Sequence, residues 1–123
     1  MYCIFIRKEK SINYALEIVN KNKLAETRNK DMLKKLVNHR VAIAETGNGK
    51  KPVIIGYATI TRKEFVIASE FPKHYNETLV KPESKYNCTG KGKWLYYFEK
   101  PEKCNPYTLP NNAVYHGRSY CEI

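Results

Sequence analysis

Long hydrophobic runs are missing from this 123-residue chain. No stretch approaches the ~18 apolar residues that a membrane span requires. The apolar opening at residues 2–6 is too short for the central region of a secretion signal, so the expectation is a cytoplasmic protein with reduced thiols. Under that expectation the glycosylation sequons at Asn76 and Asn87 carry no meaning. Closely spaced cysteine pairs are missing too. Cys3, Cys88, Cys104 and Cys121 form no C-x-x-C, which argues against a zinc ribbon, and Cys88, Cys104, Cys121 and His116 lack the regular spacing of a ligand set. No Ser-His-Asp or Cys-His order suggests a nucleophilic triad. The loop Gly47, Asn48, Gly49, Lys50 lacks the full P-loop spacing and precedes a strand pattern, not a helix. Without repeats, heptads or a linker, residues 1–123 read as a single domain, expected to act as a monomer with no cofactor and no metal.

Acidic residues are scarce: 12 Asp and Glu stand against 22 Lys and Arg, a net charge of +10. The excess is uneven, because residues 1–61 hold 12 of the basic and 5 of the acidic groups, a net +7 against +3 for the remainder. A small domain this basic attracts polyanions. The cations do not line the polar face of one strongly apolar helix, which argues against a membrane-surface anchor. Nucleic acid is the expected partner. A soluble, lysine-rich protein of biased composition also accounts for the abundance of Lys, Asn, Tyr and Ile.

The apolar pattern gives an α+β order of elements. Residues 2–7 read as a central first strand, apolar on both faces. Ser11 is a good N-cap, and Ile12, Ala15, Leu16 and Val19 at spacings of three and four predict a helix over about 11–21. Asn29 and Asp31 open a second helix whose apolar face is Met32, Leu33, Leu36 and Val37. Residues 40–45 and 53–60, joined by the turn-forming cluster 46–52, predict a hairpin. Gly56 within its second strand predicts a bulge or a close backbone approach. Residues 64–71 give another strand, 72–93 a long polar connection that is either functional or disordered, and 94–100 an alternating aromatic strand. Prolines 101, 106 and 110 interrupt the chain before a last strand over 118–123. About six mostly antiparallel strands and two flanking helices suggest a small closed or nearly closed β-barrel.

The chemistry concentrates at residues 21–28, where an ammonium, a carboxylate and a guanidinium fall between two helical patterns. If residues 25–28 are extended, the period of two sends Glu26 and Arg28 to one face. Arg28 can clamp a phosphate or a base edge. Lys23 can supply charge or act as a base, and Glu26 can accept from a base amino group or activate water. The competing reading is an ion network that holds helix to sheet. Arg40, Lys50, Lys51, Lys93 and Arg118 extend the basic surface or are simply solvated. Trp94, Tyr96, Tyr97 and Phe98, flanked by Lys91 and Lys93, fit either a stacking platform for bases or a buried strand face. His116, close to the last strand, either reaches the motif or stays at the surface.

Lys23, Glu26 and Arg28 resemble the G-x-K-x-x-E-x-R signature of the ASCH domain, in the PUA-like superfamily, with Lys21 where the signature has glycine. The surroundings are similar over residues 2–71: a helix before the motif, a short helix after it, a basic residue opening a strand at Arg40, and a later strand at residues 55–60. The resemblance implies a small PUA-like barrel with packed helices and a cleft beside the motif suited to RNA or a modified nucleotide. Lys23, Glu26 and Arg28 would form its centre, and Arg40, Lys93 and Arg118 would be supporting cations. Some ASCH-like proteins are hydrolases of modified cytidine or of RNA. That branch implies catalytic work for Lys23 and Glu26, with Thr27 in doubtful register for a nucleophile. A third expectation is a protein-interaction module in which the 72–93 connection meets a partner.

Overall fold

β-Branched and aromatic residues dominate residues 53–67, and aromatics dominate the start of a second long stretch at 94–98; both stretches become single bent strands that carry the sheet. In the computed structural model, which describes residues 1–47 and 49–123, these are β4 (Val53–Ile67) and β5 (Gly92–Thr108). The remaining strands are β1 (Tyr2–Arg7), β2 (Ala25–Arg28), β3 (His39–Thr46), β6 (Val114–His116) and β7 (Tyr120–Glu122). Two short helices, α1 (Tyr14–Val19) and α2 (Tyr75–Thr78), and two 3-10 turns, Lys34–Leu36 and Phe71–His74, complete the described residues. None of these helices is long and apolar enough to cross a membrane.

Among the described residues, seven strands form one sheet in the order β2-β5-β4-β3-β1-β7-β6. β1 and β3 run parallel, and the other pairings are antiparallel. The mixed, mainly antiparallel architecture matches the expectation, but the barrel does not close. Both edges of β1 are occupied, one by β3 and one by β7, so β2 cannot add its backbone there. A single side chain crosses the gap instead, with Arg28 Nη2 donating to Phe5 O at 2.9 Å.

The expected hairpin of β3 and β4 forms, with a register running from His39 opposite Ile60 to Glu45 opposite Val53. Its connection includes Asn48, which lies outside the described residues. Gly56 is both an irregularity and a close approach: the ladder shifts beside it, and an added Cβ would fall 2.3 Å from Glu102 O. Period two sorts β3 onto two cores. Val41 and Ile43 join the main core with Ile4, Ile6, Ala15 and Ile18, while Ala42 and Ala44 join a smaller core on the opposite face with Cys3, Ile54, Leu109 and Cys121.

Several expected boundaries move. The first helix spans Tyr14–Val19, because Asn13 and not Ser11 is its cap: Asn13 Oδ1 accepts from Leu16 N at 3.1 Å. The second helix shrinks to the turn Lys34–Leu36. Asp31 is drawn inward by Tyr96 Oη (2.7 Å) and by the Lys63 ammonium, so it does not serve a helix N-terminus. The strands expected at 53–60 and 64–71 are one strand, bent where its ladder with β5 shifts register. β5 continues through Pro101 and Pro106, with Lys100 at φ 51° in the irregular stretch. β6 carries no sequence signal strong enough to separate it from the proline-broken tail. Tyr96, Tyr97 and Phe98 are buried, and Trp94 is half-covered by Phe65, so this strand is core and not an exposed stacking platform.

Candidate functional site

The site begins at the end of α1. Lys21 N donates to Ile18 O at 3.0 Å and Asn22 N to Glu17 O at 2.9 Å, the paired bonds of a Schellman C-cap. That motif puts its turning residue in the left-handed region, and Lys21 has φ 70°. Lys21 therefore stands, at a conformational cost, where the ASCH signature places a glycine that adopts this φ freely. Lys23 N then donates to Glu17 O at 3.0 Å. The cap turns the chain so that the next ammonium points inward.

Lys23 is 2% exposed. Its Nζ donates to Thr78 O, lies 3.7 Å from Glu26 Oε1, and sits 4.8 Å from the centre of the Tyr14 ring. Burial lowers its pKa to about 8, helped by the charges of Arg28 and Lys93 and opposed by Glu26. Glu26 is buried as well. Burial alone would raise its pKa, but the Arg28 guanidinium and Lys23 outweigh this and hold it below the ordinary carboxylate range. Glu26 and Arg28 do share a face of β2, and Arg28 Nη1 donates to the Glu26 carboxylate and to Thr27 O (3.1 Å).

With the bond to Phe5 O, three of the five guanidinium donors of Arg28 are spent on protein. Arg28 is thus a strut between β2 and β1 with two donors unused among the described residues. Thr27 lines the same cleft and is buried, and its backbone hydrogen bond to Glu26 adds to the groups that hold that carboxylate ionised.

Around this centre lies a cleft of about 290 Å³. Arg7, Lys23, Arg28, Lys93 and Arg118 line it against a single carboxylate, Glu26. Phe5, Tyr14, Met32, Val80 and Tyr86 supply its apolar walls. Phe5 is stacked on Tyr115 with ring centres 5.5 Å apart. Lys93 comes from the second position of β5, and its Nζ donates to Tyr86 O at 2.6 Å. Burial lowers its pKa, with Glu26 and Cys88 opposing and Arg28 assisting. Arg7 and Arg118 are exposed at the rim, where no side-chain hydrogen bond or ion pair engages them among the described residues. Tyr86 Oη is buried without a hydrogen-bond partner among the described residues, an unmet capacity in a cleft wall.

The structure therefore brings Lys23, Glu26, Thr27, Arg28, Lys93 and Arg118 together and leaves Arg40 out. Arg40 lies on β3 over the β4–β5 ladder, donating to Lys100 O (3.1 Å) and pairing with Glu102 at 3.2 Å. His116 stacks on Tyr120 and faces Glu122 at 3.4 Å, away from the cleft lining. Lys51 bonds Asn111. Cys88, Cys104 and Cys121 are free thiols; Cys104 packs against the smaller core that holds Cys121, while Cys88 packs against the main core.

The sequence reading missed Phe5, Arg7, Tyr14, Thr78 and Tyr86. Phe5 and Arg7 alternate with Ile4 and Ile6 on β1, and this period-two pattern was the one available signal for them. The Thr78 carbonyl has no sequence signature. The 72–93 connection turns out to be a wall of the cleft, with ordered turns from Phe71 to Thr78.

Solved structures of similar shape are ASCH proteins from Zymomonas mobilis. The wild-type protein superposes with a TM-score of 0.69 at 18% identity, covering 86% of this chain and 73% of that one. Two single-substitution mutants of it, one serine-to-alanine and one tyrosine-to-phenylalanine, give 0.68 at 18% and 0.67 at 17%, with 86% of this chain covered in each case. The chain has the fold of these ASCH proteins. No protein-family model matches the chain, and no curated protein does.

Proposed function

We propose that the cleft beside Lys23, Glu26 and Arg28 binds RNA or a nucleotide. The observation that carries this reading is the composition of the cleft: five cations against one carboxylate, interleaved with aromatic and aliphatic walls. Planar bases favour aromatic surfaces and phosphates favour cations. In this reading a base seats against the wall formed by Tyr14, Tyr86 and Val80, where the spare Arg28 donors can address its edge. The rim arginines Arg7 and Arg118 take phosphate. The ASCH fold of the chain is consistent with an RNA-binding role.

The test is binding of purified protein to a mixed cellular RNA pool at low and moderate salt, with Arg118→Ala alongside. Arg118 is exposed and, among the described residues, makes no side-chain hydrogen bond or ion pair, so its removal should leave the fold intact. Affinity should fall steeply with salt through counterion release, and Arg118→Ala should weaken it about three- to tenfold. Salt-independent binding, or binding indifferent to Arg118, contradicts the reading.

A second reading, a hydrolase acting on RNA or a modified nucleoside, is favoured by one observation: a buried lysine with a lowered pKa lies beside a buried carboxylate. Under it, Glu26→Gln retains RNA binding and abolishes release of product from bound RNA. Retained turnover contradicts it.

A further inference from the structure

A second depression adjoins the cleft and shares Arg7 with it. It has a volume of about 500 Å³ and is lined by Arg7, Lys8, Glu9, Lys10, Ser11, Gly47 and Lys85. Its lining contrasts with that of the cleft, because it contains no aromatic or aliphatic side chain. Four cations face one acidic group, and that group is already engaged: the Glu9 carboxylate accepts from Tyr14 Oη and from Ser84 Oγ. Glu9 thereby builds the partition between the two depressions, with Tyr14 and Tyr86 on the cleft side and Lys85 on the trough side. Glu45, just outside, pairs with Lys8 at 3.4 Å, while no ion pair engages Arg7, Lys10 or Lys85 among the described residues.

The shared arginine is held by the β3–β4 connection. Gly47 has φ 96°, and a Cβ there would lie 2.8 Å from Arg7 Cγ and 3.3 Å from Lys8 N. Only a glycine lets the connection pass this close to the end of β1.

We infer that this trough is a second subsite, taking the phosphodiester backbone of the nucleotides next to the one seated in the cleft, so that the ligand is a single RNA strand and not a free nucleotide. The inference rests on the nucleotide reading of the cleft. A cavity of about 290 Å³ is at the small end for ligand sites and accommodates about one nucleotide. A strand must therefore leave it, and the exit past Arg7 is a cationic surface without stacking partners, suited to backbone and unsuited to bases. A single strand offers an unpaired base to the cleft without the cost of unpairing and unstacking that a duplex would incur, which favours single-stranded RNA.

The experiment is calorimetric titration with the four nucleoside monophosphates and with a mixed-sequence tetraribonucleotide, on the native protein, a Lys8→Ala/Lys10→Ala variant and a Lys85→Ala variant. The two lysines of the first variant lie outside the cleft, and Lys85→Ala tests the opposite bank independently. The native protein should bind the tetranucleotide at least about tenfold more tightly than the best monophosphate. The double variant should lose most of that gain while keeping monophosphate affinity within about twofold. Its salt dependence should become shallower by about 0.7 per lysine removed.

Equal affinity for monophosphate and tetranucleotide, or a gain that survives in both variants, overturns the trough and leaves the cleft reading standing. Inorganic polyphosphate competing as well as RNA of equal charge overturns the RNA assignment of the trough. Binding of neither monophosphate nor tetranucleotide overturns the cleft reading itself and the trough with it.

Discussion

Burying an ammonium costs several kcal/mol unless polar partners surround it, and Lys23 has three: the Thr78 carbonyl, the Glu26 carboxylate and the face of Tyr14. They do not fully compensate, since its pKa is down to about 8 against ~10.4 in an unfolded chain. Between those two values the unfolded chain binds more protons than the folded one, so this residue makes stability rise with pH across that window. Below about 8 the full cost of the buried charge is present. Thermal midpoints from pH 7 to 10 should therefore diverge between the native protein and Lys23→Met. The native chain gains on the order of 2 kcal/mol over the variant as pH rises. Parallel curves would contradict the buried-ammonium account. Lys23, Glu26 and Arg28 could be read from sequence because they are close in the chain and their spacing is fixed by a strand. Arg7, Tyr14 and Tyr86 could not, because the sheet order and the 72–93 connection bring them there from separate segments.

The element that aims the site is the cap of α1. A lysine at φ 70° carries roughly 1 kcal/mol of conformational cost, part of which a glycine would give back as unfolded-state entropy. Lys21→Gly should thus stabilise the protein by about 0.5–1 kcal/mol, raising the thermal midpoint by a few degrees without altering RNA affinity. A lowered midpoint would show that Lys21 makes a contact that outweighs the strain. The neighbouring elements show why local pattern misled. Asp31 had the position and charge of a helix opener, yet Tyr96 and Lys63, 65 and 32 residues away, captured its carboxylate, and the expected helix became a 3-10 turn. Ser11 lost the capping role to Asn13 for a similar reason: the chain before it is held in the Glu9–Ile12 bridge. In contrast, the β3–β4 hairpin was legible because its two apolar runs and glycine connection all favour the same pairing.

At the scale of the whole molecule, the open sheet is what creates the site. Had β2 closed onto β1, a backbone ladder would occupy the gap that Arg28 spans. With both edges of β1 filled, the gap stays open and is walled by the ends of β1, β2 and β5 and by the 79–91 segment. The net charge of +10 was legible as an attraction to polyanions. Its distribution was not, because the cations at the cleft come from β1, the α1–β2 connection, β2, β5 and the β6–β7 turn, while Arg40, which the motif pattern suggested, is consumed in an ion pair on another face.

The central claim, that the cleft is where RNA meets the protein, is most directly tested by amide and arginine side-chain NMR shifts during titration with a short single-stranded RNA. The account predicts shifts concentrated at Glu26, Arg28, Tyr86, Lys93 and Ser119, saturating together. Shifts confined to the face of His39 and Arg40, or to the Phe65 and Trp94 end of the sheet, would contradict it.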